Sequence, residues 1–395
     1  MIKRSLYLTR PQLLSELGRC LSCSGKPCMG ACPVNCNPQE FIQHARNNDW
    51  QQAIDSITRN NPMGQTCGLI CPDKFCMQAC TRAHIDFPIN IPRVQATILE
   101  HYRSPKPQHM PYPAANGKKA AVIGAGPAGI AATAQLSKQG YKVTLFEAME
   151  QIGGALNLIP DNRLPHSVIE KDWEYLYDSN VIELKLNTTI DKPESLLASG
   201  YSGVIVASGE PNCVNLGISG EEFIIPYPQY LRHPEQYVTS GNVAVIGGGA
   251  VATDCALTAK AGGATVEMFV RRRLSDMRVT ADERQSLIEN GIDITTMTGV
   301  AAVEKCGESY TLITYRNRLN NGKAEMMPQT SIRRPDFALI IKAVGSFAPR
   351  REDSDYVIYA GDCKHGGSTI VEALASGKDA ALLLHQKLSA ATSSN

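Results

Sequence analysis

No stretch of this sequence reaches the roughly 18 consecutive apolar residues that a membrane-spanning helix needs. Even the apolar region Asp336–Val344 carries Asp336 and Lys342. Neither sign of charge is in excess, with 39 Lys and Arg against 38 Asp and Glu and a formal net charge of +1. That balance leaves no basic footprint for nucleic acid. The N-terminal run Met1-Ile2-Lys3-Arg4-Ser5-Leu6-Tyr7 has two basic residues but no long apolar segment behind them. A secretory signal is therefore not expected, and the cytoplasm is the expected location. Low-complexity tracts and solenoid periods are also missing. What remains is an ordinary globular composition, 43% hydrophobic and 19% charged, in 395 residues, enough for two or three domains.

Cysteine is sparse over most of the chain and dense at one end. Nine of the 13 fall between Cys20 and Cys80, while Cys213, Cys255, Cys306 and Cys363 are scattered and are expected to be small buried residues. In a long chain with no export signal, such density points to metal or cluster ligation rather than disulfides. The run Cys20-x2-Cys23-x4-Cys28-x3-Cys32-Pro33 is close to the ferredoxin type, in which three cysteines hold one cluster and the fourth crosses to another. A second set follows as Cys67-x3-Cys71-Pro72-x3-Cys76-x3-Cys80. Two [4Fe–4S] clusters are expected, close enough for electrons to hop between them. Zinc also takes four cysteines, but zinc sites rarely combine this spacing with the nucleotide-binding pattern downstream.

Three regions separate by composition. The cysteine-rich first hundred residues contain helical candidates at Pro38–Asn47, Trp50–Arg59 and Arg93–Tyr102. Repeated prolines between Ser104 and Pro113 predict an extended linker. From Lys118 onward short apolar strands alternate with helices, the pattern of a parallel α/β sheet. One phrase occurs twice there. Lys119–Ile123 runs into Gly124-Ala125-Gly126-Pro127-Ala128-Gly129, and Asn242–Ile246 runs into Gly247-Gly248-Gly249-Ala250-Val251-Ala252. Two strand–glycine-turn–helix units predict two dinucleotide sites.

At the first turn, Gly124, Gly126, Ala128 and Gly129 let backbone amides approach a pyrophosphate on a helix N-terminus. A strand Lys142–Phe146 follows and ends at Glu147, placed to accept from a ribose hydroxyl, so this site is assigned to FAD. Gly154 and Arg163 are further expected contacts. Near the C-terminus Gly361 and Asp362 follow a strand, and a helix-like stretch begins at Thr369. That order places Asp362 and a helix N-terminus toward the flavin. At the second turn, Gly247, Gly249, Ala250, Val251 and Ala252 are the expected contacts, with Gly345 added. Its following strand, Thr265–Val270, ends in Arg271, Arg272 and Arg273 with no acid. Arginine grips the 2′-phosphate of NADPH, whereas NAD prefers a carboxylate there, so NADPH is expected, with Arg278 as a further contact.

With these residues assembled, the chain resembles the electron-input part shared by dihydropyrimidine dehydrogenases and the small subunit of NADPH-dependent glutamate synthase. The resemblance runs from the Cys20 motif to Thr369–Ala380. Ser368-Thr369-Ile370-Val371-Glu372-Ala373, and Cys80-Thr81-Arg82 followed by Pro88-Ile89-Asn90-Ile91, look most like the small subunit of the bacterial pyrimidine enzyme. The resemblance implies that Cys20, Cys23, Cys28 and Cys80 bind one cluster. It implies that Cys32, Cys71 and Cys76 bind the other, completed by Gln95, with Cys67 as the alternative. From the sequence alone Gln95 reads as a surface helix residue. The implied architecture is α/β. A helical cluster domain over residues 1–110 precedes an FAD domain over 117–238 and 331–395 and an NADPH domain over 239–330. The implied activity is hydride transfer from NADPH to FAD, then single-electron transfer to an FMN-containing catalytic subunit. The bacterial subunit is described as NAD-dependent, but the three arginines favour NADPH. The alternatives are a glutamate synthase small subunit and a stand-alone NADPH:acceptor oxidoreductase. Residues 118–395 lack the Cys-x-x-Cys pair of a thioredoxin-reductase-type enzyme. Hydride passes directly between the two rings, so no acid–base residue is assigned.

Overall fold

The computed structural model describes residues 5–104, 112–210 and 212–393, and most of the expected linker lies outside them. The chain falls into two compact units. The larger comprises residues 5–157, 161–210 and 348–393, and the smaller is formed mainly by residues 212–347.

The larger unit begins with helices α1 (Arg10–Arg19), α2 (Pro27–Gly30), α3 (Pro38–Arg46), α4 (Trp50–Asn60), α5 (Gly64–Ile70) and α6 (Ile91–Tyr102). Side chains set four of the starts. Thr9 and Gln12 form a reciprocal capping box at α1, while Asn37, Asp49 and Asn90 accept from amides in the first turns of α3, α4 and α6, satisfying donors that a helix start leaves unpaired. In α6 the residues Ile91, Val94, Gln95, Ile98 and Leu99 share a buried stripe at helical spacing. Gln95 is only 6% exposed, so it is a buried residue and not the surface one its type suggested.

Five parallel strands follow in the same unit: β1 (Lys119–Ile123), β2 (Lys142–Phe146), β3 (Ile182–Lys185), β4 (Gly203–Val206) and a C-terminal strand Val357–Tyr359, in the order C-terminal strand, β4, β1, β2, β3. Helix α7 (Pro127–Ser137) packs against the last helix, Ile370–Ser393. The packing is close because a Cβ on Gly377 would lie 1.9 Å from the Ala128 carbonyl oxygen. The cluster helices and this layer share a buried network. Asp172 pairs with Arg103 at 2.6 Å and accepts from the Thr66 amide and hydroxyl, both at 2.8 Å.

The smaller unit is a mixed sheet. Its strands are β5 (Ile225–Pro226), β6 (Asn242–Ile246), β7 (Thr265–Val270), β8 (Asp293–Thr296), β9 (Thr298–Cys306), β10 (Ser309–Asn320) and β11 (Lys323–Lys342), ordered β8-β7-β6-β11-β10-β9 with β5 on β11. Its extent differs from the expected boundaries, because residues 212–238 and 331–347 belong here. The reason is the 20-residue strand β11, which pairs antiparallel with β10 and then, past Asp336 at φ 67, runs parallel to β6. Of the scattered cysteines, Cys255 and Cys363 are buried as expected, but Cys306, at the end of β9, is exposed. Among the described residues, no helix is long and apolar enough to cross a membrane.

Candidate cofactor and cluster sites

In the larger unit, segments far apart in sequence meet at the N-terminus of α7. Gly124 has φ 100, and a Cβ there would fall 2.4 Å from the Ala207 carbonyl oxygen. Gly129 lies so close under β1 that its Cβ would sit 1.7 Å from the Gly124 oxygen. By contrast, a Cβ on Gly126 would meet nothing nearer than the Gly154 Cα at 3.9 Å. The turn therefore combines two glycines required by packing with one that leaves backbone open to a ligand. Gly361, at φ 70, approaches Ala128 from the other side. Glu147 is buried, and its two oxygens accept from the Ala125 amide at 2.7 Å and the Met149 amide at 2.9 Å. Each oxygen retains a lone pair.

Asp362 opens the short helix Asp362–His365 and accepts from the Ser368 hydroxyl at 2.5 Å, and burial raises its carboxyl above the ordinary range. Thr369 has a local task, since its hydroxyl donates to Glu372 at 2.6 Å while its backbone amide does the same at 3.0 Å. Arg163 lies in the turn ahead of the helix His166–Leu176.

In the smaller unit, Gly247 has φ 148, and a Cβ there would lie 2.3 Å from the Ala343 carbonyl oxygen. Gly249 caps the helix Ala250–Ala261, in which Ala252 is buried and Val251 is exposed. Gly345, at φ 105, follows the end of β11. The three arginines after β7 have different surroundings. Arg273 grips Asp276 with a two-pronged contact, at 2.9 and 3.1 Å. Among the described residues Arg271, Arg272 and Arg278 form no direct ion pair, and the buried Nε atoms of Arg272 and Arg284 have no hydrogen-bond partner. Arg278 is held against the glycine turn, its amide donating to the Gly248 carbonyl at 3.0 Å and its backbone bridging to Gly249. Arg284 lies on the helix Ala281–Glu289.

The thiols divide into two groups. Cys20, Cys23, Cys28 and Cys80 line one cavity with Thr81 and Ile91. Burial pushes the Cys28 thiol up to about 11, with a further contribution from Cys20 and Cys80, while the Cys23 thiol donates to the Thr81 hydroxyl at 3.4 Å. In the second group Cys71 and Cys76 are raised chiefly by burial and next by each other or by Cys32, Cys76 to about 12. Crowded buried thiols of this kind ionise together only where a cation compensates them. Among the described residues no three His, Cys, Asp or Glu side chains are drawn together tightly enough to hold one metal ion. An all-thiolate donor set of this kind fits an iron–sulfur cluster, which is held by cysteine thiolates. Gln95 lies beside the second group, its Nε2 donating to the Gly64 carbonyl at 2.6 Å and its Oε1 accepting from the Cys36 thiol at 3.7 Å. Cys67 is buried and hydrogen-bonded with the Asn61 side chain.

Two parts of the chain each match a known family. Residues 3–106 match the family described as dihydropyrimidine dehydrogenase domain II, 4Fe-4S cluster, and residues 118–345 match the pyridine nucleotide-disulphide oxidoreductases. The NAD-dependent dihydropyrimidine dehydrogenase subunit PreT of Escherichia coli K12 is 31% identical over 399 residues, covering 96% of this chain and 95% of that protein. The NADP(+)-dependent formate dehydrogenase subunit beta of Moorella thermoacetica is 27% identical over 93% of this chain and 60% of its own length. Among solved structures, Mycobacterium tuberculosis FprA in complex with NADPH superposes with a TM-score of 0.59 at 16% identity, over 70% of this chain and 86% of that one, a likeness of fold. The chain is thus an NAD(P)H-dependent oxidoreductase, a member of the pyridine nucleotide-disulphide oxidoreductase family and, within it, of the flavin and iron–sulfur electron-transfer subunits to which the dihydropyrimidine dehydrogenase subunit PreT belongs.

Proposed function

We propose that this chain takes hydride from NADPH onto FAD and delivers single electrons, through two [4Fe–4S] clusters, to a separate FMN-containing dihydropyrimidine dehydrogenase subunit. The observation that carries the reading is the division of the thiols into two groups within the unit that also holds the first glycine turn. When bound, the flavin splits a two-electron hydride into single electrons and the clusters carry them onward. The protein's own part is binding and placement. Gly126 leaves backbone open to a pyrophosphate at the start of α7, Glu147 offers lone pairs to a ribose, and Asp362 offers a carboxylate at the head of its helix. Arg271, Arg272 and Arg278, which form no ion pair among the described residues, supply positive charge for a 2′-phosphate, which supports NADPH although the Escherichia coli relative is named NAD-dependent. Cys20, Cys23, Cys28 and Cys80 would hold one cluster, and Cys32, Cys71 and Cys76 three corners of the other. The relatives above are named as subunits, which supports a partner protein.

The test uses the isolated chain. With NADPH it is expected to reduce ferricyanide and to leave uracil and thymine untouched. Adding a dihydropyrimidine dehydrogenase catalytic subunit should restore pyrimidine turnover. Pyrimidine reduction by this chain alone would overturn the reading, as would better coupling to a glutamate synthase large subunit.

A further inference from the structure

We infer that Lys378, on the last helix, tunes the second cluster, that of Cys32, Cys71 and Cys76, its ammonium raising the reduction potential there through the loop that follows Cys32. The inference rests on the two-cluster reading above. The loop Cys32-Pro33-Val34-Asn35 turns back on its first residue, with the Asn35 amide donating to the Cys32 carbonyl at 2.9 Å and Asn35 at φ 56. The amides of Val34, Asn35 and Cys36 all hydrogen-bond to the Cys32 sulfur. Lys378 Nζ donates to the Val34 carbonyl at 3.3 Å. That carbonyl and the Asn35 amide belong to one planar peptide group. A cation on its oxygen polarises the group and strengthens the hydrogen bond that its N–H makes to sulfur.

The surroundings hold the lysine at this loop. Asn60, the last residue of α4, donates through Nδ2 to the Asn35 carbonyl at 3.0 Å and accepts from Lys378 Nζ at 2.9 Å. One side-chain amide thus ties the lysine and the loop together. Lys378 and Cys32 also act on each other directly, each favouring the other's charged form. Glu372, which acts on Cys71 from the start of the same helix, is offset by Lys74 at 3.4 Å. Among the described residues no carboxylate forms an ion pair with Lys378, and the adjacent Asp379 is exposed. The neighbouring cation Lys138 donates instead to the Arg59 carbonyl. Each electron that enters the second cluster adds one negative charge, supplied as the reduced flavin loses one electron. Net charge and hydrogen bonds to the sulfurs set the potential of such a cluster, and Lys378 contributes to both in the direction that favours the reduced form.

The test is a reductive titration of the anaerobically prepared full chain, followed by electron paramagnetic resonance, with iron and acid-labile sulfide analysis. The second cluster's signal is the one missing from C76S. K378M should lower its potential by about 59 mV, a tenfold weaker hold on one electron, with iron content and the first cluster's potential unchanged. K378R should stay near wild type, because guanidinium keeps both the charge and the donors. K138M should shift the potential less than K378M does. An unmoved second potential in K378M would overturn the inference, as would equal shifts of both clusters or a K378R that behaves like K378M. Should K378M fail to hold its iron, K378Q takes its place with the same expectation. Should the second cluster resist reduction, resonance Raman spectra of the oxidised chain decide. The terminal iron–sulfur stretching bands must then move in K378M and not in K378R, and identical bands in all three proteins sink the idea. Iron for a single cluster in the wild type would instead bring down the two-cluster reading, and this inference with it.

Discussion

Three consecutive arginines at the end of β7 have unlike surroundings, and the difference predicts unlike effects. Arg273 is committed to Asp276, whereas Arg271 and Arg272 form no ion pair among the described residues. Replacing Arg271 and Arg272 together with Ala should therefore erase most of a preference for NADPH over NADH in kcat/KM. Each charge-assisted hydrogen bond to the phosphate is worth about 1.5–3 kcal/mol. R273A should leave the ratio near its wild-type value. Steady-state rates with ferricyanide measure both, and a wild-type preference for NADH would show that the arginines merely face solvent. These arginines were legible in the sequence because they stand where a strand ends, a place the glycine phrase fixes by counting. Arg278, also expected at that site, is held by its backbone against the turn. Gln95 was read from its type as a surface helix residue, because long polar side chains are mostly exposed, whereas the structure buries it.

At the level of elements, the glycines of the first turn separate two roles. G129A forces a methyl group to 1.7 Å from the Gly124 carbonyl oxygen, so strand and helix must part and the thermal midpoint should fall markedly. G126A adds its methyl where the structure has room, so the fold should persist while flavin content drops. Flavin absorbance per chain, set beside far-UV circular dichroism, distinguishes the two. The Asp172 network makes a third prediction. D172A leaves Arg103 buried without its partner and strands the Thr66 donors, a loss of about 3–5 kcal/mol. Trp173, the next residue and 8% exposed, supplies the fluorescence to follow unfolding in urea. Strands beneath the two glycine turns were readable as short apolar runs, and β2 and β7 begin and end where expected. The arm of β9, β10 and β11 was not, because its apolar residues are broken up irregularly by charged and polar ones, with much of their surface in water. One long strand serving two partners cannot be located from composition, and the second unit's boundary moved for that reason.

For the molecule as a whole, the two thiol groups predict a stoichiometry of close to two [4Fe–4S] clusters and one FAD per chain. C23S and C76S should each lose one cluster's worth of iron, in different groups, because serine is a poor ligand for it. Stoichiometric zinc with negligible sulfide would refute the assignment. A pH effect follows from Lys138, whose ammonium is partly buried near Lys378 and Arg59 and donates to the Arg59 carbonyl at 2.7 Å. Burial pushes its pKa down from 10.5 to about 8, with the two neighbouring cations adding to the effect. Between those values the unfolded chain binds the proton that the folded one has released, so stability rises with pH across that window. K138M should accordingly be more stable than wild type near pH 7. That advantage should shrink as the pH rises from about 8 toward 10.5, read as the difference between their thermal midpoints.

The long last helix reaches back to the cluster loop. Lys378 donates to the Val34 carbonyl at 3.3 Å and to Asn60 at 2.9 Å, linking residues 344 and 318 positions apart. Translation therefore delivers the cysteines early and their support late. While the chain is still growing, the loop between Cys32 and Cys36 lacks the lysine that holds it from outside, and its thiols are open to oxidation or to a wrong metal.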